Sequence, residues 1–155
     1  MAPDGPLNVP PASTRGSDAL RSGTLAVVDE DIPADFAGPV VEALRRAGAM
    51  FAFVHGSRAS GTARPDSDLD IAAWWPSQPP AAFEVSLPAG VDLLVLNSAP
   101  LELAGRVATR GVLLFEDDPA ARVRWVATTR KIYFDELPRI ERSHREFAES
   151  LRRGR

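Results

Sequence analysis

The sequence predicts an α+β fold, a two-layer α/β arrangement in which helices pack on a short mixed sheet of about four strands. Apolar runs, each with the length of a buried strand, recur four times, at 49–54, 71–75, 91–97 and 112–115. Amphipathic helical stretches lie before, between and after these runs. With C-terminal helices at about 119–153, residues 25–155 are predicted to form a single domain. A flexible leader rich in Pro, Gly, Ser and Ala precedes it at 1–24.

Composition is typical of a soluble globular protein and excludes the kinds of site that need cysteine. The 155 residues suit one domain, with 45% of them hydrophobic and 25% charged. Since there is no cysteine, a disulfide scaffold, a thiolate zinc site and a thiol nucleophile are excluded. No apolar run approaches membrane-spanning length, and the N-terminus lacks a basic-then-apolar signal pattern. We therefore expect a cytoplasmic protein without a membrane partner.

Proline and glycine positions predict where the helices of the first hundred residues begin and end. Pro39 suits the first position of a helix that ends at Gly48. The segment 81–87 fits either a short strand or one turn of helix. Pro100 opens a further helix, which Gly111 ends before the fourth strand.

The C-terminal region is predicted to form two helical segments, 122–133 and another from Asp135 onward, with Asp118 as the N-cap. Residues at three- and four-residue steps form one face of the second segment: Leu137, Ile140, His144, Phe147, Ala148 and Leu151. This face packs either on the domain or against a partner, and the sequence leaves both open. His144 on this face fits a packed or rim histidine better than a ligand or a base.

Charge is divided unevenly along the chain. Residues 119–155 hold ten Arg and Lys against five Asp and Glu, a net charge of +5, whereas the rest of the chain carries −8. One interpretation is a solvated helical surface, and the other is a basic face for an acidic partner or for RNA. Direct nucleic-acid binding is not expected from this pattern alone.

Three ring-bearing residues near strand ends are interpreted as structural. Trp74 and Trp75 end the second strand, where one ring packs inward and the other covers the edge of the sheet, in preference to stacking on a base. His55 follows the first strand and precedes the Gly-Ser turn. We expect it to support that turn.

The segment from His55 to Asp70 carries the chemistry. Gly56 and Ser57 form a turn between two buried strands, and its backbone N–H groups and hydroxyl suit phosphate oxygens. Asp68 and Asp70 open the second strand and, being two residues apart, point to the same face of it. Two carboxylates held side by side repel unless a cation lies between them, and Mg²⁺ prefers such oxygen ligands. The pattern predicts a nucleotide-handling site.

Gly56-Ser57, ten residues and then Asp68-x-Asp70 resembles the signature of the nucleotidyltransferase superfamily related to DNA polymerase beta. The intervening residues resemble most the minimal nucleotidyltransferases (MNT), which are the antitoxins of HEPN/MNT toxin–antitoxin pairs. The resemblance covers roughly residues 40 to 135 and implies the nucleotidyltransferase fold. It also implies a third carboxylate on a neighbouring strand, and Asp92 supplies one.

The resemblance implies roles for these residues. Asp68, Asp70 and Asp92 are the expected catalytic residues and metal ligands, with two Mg²⁺ ions as cofactors. The expected nucleotide-binding residues are Gly56, Ser57, Arg58 and Ser67. Arg58 either contacts phosphate or faces outward, and Ser67 caps the turn that sets Asp68.

The resemblance further implies an enzyme that transfers AMP from ATP to a tyrosine hydroxyl of a cognate HEPN RNase toxin and thereby silences it. We expect ATP and that toxin as partners, with the two proteins forming a hetero-oligomer. The absence of a second substrate-holding domain suggests that the acceptor brings its own binding surface.

Two alternatives stay open. One is a small-molecule nucleotidyltransferase of the aminoglycoside-modifying kind, and the other is a non-catalytic antitoxin that acts by stoichiometric binding.

Overall fold

The computed structural model describes residues 34–62, 64 and 67–154. Its sheet has four strands in the order β3-β2-β1-β4, and β1 is antiparallel to both of its neighbours, whereas β2 and β3 are parallel. The strands are Phe51–Val54 (β1), Leu69–Trp74 (β2), Val91–Val95 (β3) and Val112–Glu116 (β4). The predicted mixed sheet is confirmed. The predicted leader at 1–24 lies outside the described residues.

Within the described ranges the strands are accompanied by four α-helices and one 3-10 turn. They are Ala34–Arg46 (α1), Gly56–Ala59 (α2), Leu101–Arg110 (α3) and Pro119–Arg153 (α4), with the 3-10 turn at Ala82–Glu84. Two predicted boundaries are wrong. Pro39 lies inside α1 rather than at its first position, because the helix already buries Ala37 one turn before Val40 and Val41. The C-terminal region is one helix of 35 residues rather than two segments, and it continues through Pro138.

Helices cover both faces of the sheet: α1 packs on one, and α3 with the first half of α4 packs on the other. On one face Leu69, Ile71 and Ala73 pack with Val40 and Leu44 of α1. On the other face the core comprises Phe51, Phe53, Ala72 and Val107, with Trp125 of α4 packed against it. Successive side chains of a strand point to opposite faces. The even-numbered residues of β2 and β3 therefore face α3 and α4, and Asp70 and Asp92 are among them.

The tandem tryptophans follow this alternation. Trp75 is 3% exposed on the α1 face, where its indole Nε1–H donates to the Ala47 carbonyl at 2.8 Å. Trp74 lies on the opposite face and stacks on Phe51, with ring centroids 5.2 Å apart and planes at 9°. Both rings are therefore packed against the domain, which agrees with the predicted core role.

Close packing of α3 on α4 fixes the helical layer next to the predicted site. A β-carbon added to Gly105 of α3 would overlap the ring of Tyr133 of α4. One turn further along α3, the Arg130 guanidinium of α4 donates to the Ala108 carbonyl at 2.6 Å. Glycine at 105 thus lets the two helix backbones approach with an aromatic ring between them.

We expect Gly105→Ala to destabilise the protein by about 1–3 kcal/mol because the new methyl group overpacks the contact with Tyr133. A helix-interior Gly→Ala change otherwise stabilises by about 0.5–1 kcal/mol. Gly38 of α1, whose added β-carbon would meet nothing within 4 Å, is the matched control and should show that gain. Urea denaturation of both variants measures the difference. A stabilised Gly105→Ala variant would contradict the described packing.

The long helix α4 begins at a capped end and finishes in solvent. The Asp118 carboxylate accepts from the Ala121 N–H at 2.9 Å, which confirms the predicted N-cap. Beyond Ile140 every described residue of α4 is exposed, and Phe147 and Leu151 are 66% and 58% exposed. The first half of α4 docks on the domain, while the apolar residues of its last turns are left uncovered by the described chain. No helix within the described ranges is long and apolar enough to cross a membrane.

Candidate active site

The pairing of β2 with β3 places the predicted carboxylates at one end of the sheet. Asp70 and Asp92 are register partners in this parallel pair, so their side chains share the face that carries α3 and α4. Asp68 comes directly before β2, where the Leu69 N–H donates to the Gly90 carbonyl at 2.8 Å. A carboxylate oxygen of Asp68 lies 3.8 Å from the position of a β-carbon built on Gly90. The fold thus brings Asp68 to the loop that leads into β3 and Asp70 directly beside Asp92.

The donor chemistry of this end of the sheet suits a hard divalent cation. Carboxylate oxygens are the ligands that Mg²⁺ prefers, and two of the three Asp residues stand in register on adjacent strands. Across the described chain, no three acidic, histidine or cysteine side chains have converged into a formed metal site. Asp68 and Asp92 are exposed. Their side chains can rotate toward a cation without disturbing the core.

The Gly-Ser turn sits against Asp70. Gly56 has φ +71°, a conformation that favours glycine, and a β-carbon built on it would overlap the Oδ2 atom of Asp70. The preceding residue is tied to the same strand, since the His55 N–H donates to the Asp70 carbonyl at 3.0 Å. Glycine at 56 therefore allows the turn to approach the carboxylate directly.

Arg58 and Ser67 brace the loop that leads to Asp68. The Arg58 guanidinium donates to the Ser67 carbonyl at 2.7 Å. The Ser67 hydroxyl accepts from the Arg64 N–H at 3.1 Å, and the Ser67 N–H donates to the Arg64 carbonyl at 3.0 Å. Ser67 thus closes the turn before Asp68, in agreement with the predicted cap. Arg58 in this structure supports the same loop.

His55 is half-buried between the turn and the strand. Its burial lowers the pKa of the imidazole below the ordinary value of 6.5, because desolvation disfavours the charged form. The nearby Asp70 carboxylate and a hydrogen bond with the Ile71 backbone oppose this effect but are smaller. The ring is therefore neutral at pH 7, which fits the predicted supporting role.

A cleft of about 480 Å³ opens beside Asp70. One wall belongs to the motif and is formed by His55, Gly56, Ala59, Ser60 and Asp70. The opposite wall belongs to α3 and the residue after it and is formed by Leu103, Arg106, Arg110 and Gly111. A space of this size, with one aspartate and two arginines among its lining residues, fits an anionic ligand that carries a metal ion.

Sequence reasoning missed Arg106 and Arg110. The available signal was their spacing with Leu103, because positions 103, 106 and 110 fall on one face of a helix whose other face buries Ala104 and Val107. Helical spacing shows that these residues share a face. It does not show that the face is turned toward Asp70, since that depends on how α3 packs in the folded domain.

A mixed four-stranded sheet with paired carboxylates beside a Gly-Ser turn is the arrangement of a nucleotidyl-transferring enzyme. Residues 41–120 match the family model described as polymerase beta, nucleotidyltransferase, which spans half of the chain. The chain belongs to this family, and it is a nucleotidyltransferase.

Solved structures with the same fold agree with this assignment. One, described as a toxin-antitoxin with AMP-PNP, has a TM-score of 0.58 and 22% identity, and the match covers 74% of this chain and 97% of that one. Another, described as the toxin-antitoxin MntA-HepT, has a TM-score of 0.56 and 19% identity, covering 77% and 98% of the two chains. At these identities the likeness establishes the fold. A comparison with curated proteins gave no match.

Proposed function

We propose that this nucleotidyltransferase is an antitoxin that transfers AMP from ATP to a tyrosine hydroxyl of a cognate HEPN RNase toxin and thereby neutralises it. The observation that carries the proposal is the register pairing of Asp70 with Asp92 beside the Gly56 turn, because it gathers metal-binding carboxylates next to a phosphate-binding backbone. Both solved neighbours are toxin-antitoxin assemblies, and one of them is described with the ATP analogue AMP-PNP. The two descriptions support ATP as the donor and a toxin protein as the acceptor.

Asp68, Asp70 and Asp92 would hold Mg²⁺, with room in this donor set for two ions. Bound there, the metal would neutralise charge on the phosphate oxygens and lower the pKa of an oxygen bound to it. The remaining roles, phosphate binding and support of the loop, belong to residues of the chain itself. Backbone N–H groups at Gly56 and Ser57, with the Ser57 hydroxyl, hold the phosphates of ATP. Arg58 and Ser67 keep the loop before Asp68 in place.

The transfer is a single displacement at the α-phosphorus of ATP. The tyrosine oxygen attacks this phosphorus, and the bond between the phosphorus and the bridging oxygen to the β-phosphate breaks. Pyrophosphate leaves with the electron pair of that bond. The hydroxyl proton passes to a base on the acceptor side, and we assign this role to Asp92, which lies on the strand next to that of Asp70. Positioning and charge neutralisation account for most of the rate.

The exposed apolar residues near the end of α4 favour a protein as the acceptor. Phe147 and Leu151 lie four residues apart on the last turns and are both largely exposed. Exposed apolar side chains grouped on one face mark surfaces that a protein partner covers. A small hydroxyl-bearing acceptor would not explain why these apolar side chains are exposed together.

The experiment that tests the proposal is intact-mass spectrometry of the cognate HEPN toxin after incubation with this protein, ATP and Mg²⁺. We expect a gain of one or more AMP groups, with pyrophosphate released in equal number. A stable complex with no mass gain would instead support the non-catalytic antitoxin. Neither a complex nor a mass gain would direct the search to small hydroxyl-bearing acceptors.

A further inference from the structure

We propose that Arg106 and Arg110 of α3 bind the β- and γ-phosphates of the nucleotide and so stabilise the pyrophosphate leaving group. This inference rests on the proposed function and adds to it the residues that recognise a triphosphate. Neither arginine belongs to the Gly-Ser and Asp-x-Asp motif. Both line the cleft that Asp70 and Gly56 also line.

The sheet order separates an acceptor side from a leaving-group side. From one edge to the other the strands run β3, β2, β1, β4, so Asp92 lies on one side of Asp70 and the end of β1 lies on the other. Gly111, next to Arg110, directly precedes β4, whose first residue, Val112, is the register partner of Val54. Arg110 is thus on the far side of Asp70 from Asp92, and Arg106 lies one turn before it on α3.

Displacement at phosphorus requires the attacking and leaving oxygens to lie roughly opposite each other. With the acceptor hydroxyl near Asp92, the pyrophosphate end of ATP extends toward β1 and β4, and therefore toward α3. As the bond to the bridging oxygen breaks, negative charge grows on the pyrophosphate. A guanidinium group remains charged at all working pH values and donates two parallel hydrogen bonds to phosphate.

The two arginines are held differently. Arg106 pairs with Glu102, one turn earlier on α3, and Glu102 also lies 3.3 Å from the His144 ring nitrogen of α4. This pairing anchors one side of the Arg106 guanidinium to the helix and leaves its remaining N–H groups for a ligand. Arg110, in the last turn of α3, is itself exposed. Leu103, whose side chain is exposed, lies on the same face of α3 as the two arginines.

The test compares binding of AMP-PNP and AMP, measured by calorimetry with Mg²⁺ on the purified chain. Arg106→Gln and Arg110→Gln are each expected to weaken AMP-PNP binding about tenfold, since each removes charge-assisted hydrogen bonds to phosphate. Binding of AMP, which lacks the β- and γ-phosphates, should stay within about twofold of wild type for both variants. Competition by inorganic pyrophosphate against AMP-PNP should weaken in parallel, and Arg110→Lys should recover part of the loss.

Arg46→Gln is the matched control. It also breaks an arginine–glutamate pair across one helical turn, with Glu42, but it does so on α1, which covers the opposite face of the sheet. Variants that bind AMP-PNP as tightly as wild type would overturn the inference, and so would variants that lose AMP and AMP-PNP equally. Failure of the wild-type chain to bind AMP-PNP at all would overturn the proposed function as well, which distinguishes the two failures.

Discussion

Replacing Asp68 and Asp70 together with asparagine is expected to lower nucleotidyl transfer at least about a thousandfold, because the change removes the negative charge of two of the three carboxylates that we propose as metal ligands. Asparagine nearly matches aspartate in shape, and neither position belongs to the hydrophobic core. The melting temperature should therefore stay close to that of the wild type. Transfer is measured as release of pyrophosphate from ATP in the presence of the HEPN partner, and the fold is followed by circular dichroism.

Asp135→Asn is the control for this pair. Asp135 is an exposed carboxylate of α4 that pairs with Lys131 at 2.8 Å and lies outside the cleft. Its loss should leave transfer within about twofold of wild type. Formation of the complex with the partner should survive in all variants. Wild-type transfer by the Asp68→Asn/Asp70→Asn protein would show that these carboxylates do not hold the reacting metal.

Gly56→Ala is expected to reduce transfer about a hundredfold, since a displacement of about 1 Å at a reacting group costs that much. The added methyl group would overlap the Oδ2 atom of Asp70, so either the carboxylate or the turn must move. The φ angle of +71° adds strain of about 1–2 kcal/mol for any L side chain. The measurement pairs the rate of pyrophosphate release with urea denaturation.

Gly61→Ala separates strain from overlap. Gly61 has nearly the same backbone angle, φ +68°, but a β-carbon there would meet nothing within 4 Å. This variant should be destabilised by the same backbone strain, about 1–2 kcal/mol, while it retains most of its activity. If Gly61→Ala were as inactive as Gly56→Ala, the loss would come from backbone strain in the loop and not from displacement of Asp70.

The carboxylates and the turn could be predicted because their relation is local in sequence or set by strand alternation. Asp68 and Asp70 share a face by a two-residue period, and Gly56 follows a strand that pairs with theirs. The position of Asp92 beside Asp70 required the family resemblance, since no periodicity fixes the register of two strands about twenty residues apart. The structure supplies that register.

The features that sequence reasoning got wrong or missed depend on tertiary packing. Pro39 signals a helix start, but burial of Ala37 extends α1 before it. The sequence predicts two segments in the C-terminal region, yet contacts of α4 with α3 lie on both sides of the division, at Tyr133 and at His144. The position of Arg106 and Arg110 at the cleft follows from α3 and α4 lying on the face opposite α1. A single sequence carries no signal for which face a helix covers.

We propose that the toxin is silenced by a covalent change, the transfer of AMP at the Asp70–Asp92 site. The most direct test is the RNase activity of the HEPN protein after it has been incubated with this chain, ATP and Mg²⁺ and then freed of the chain under denaturing conditions and refolded. The proposal predicts that the RNase stays inactive, whereas a partner treated with the Asp68→Asn/Asp70→Asn variant regains its activity. Recovery of full RNase activity in both samples would contradict it and would show that neutralisation requires only binding.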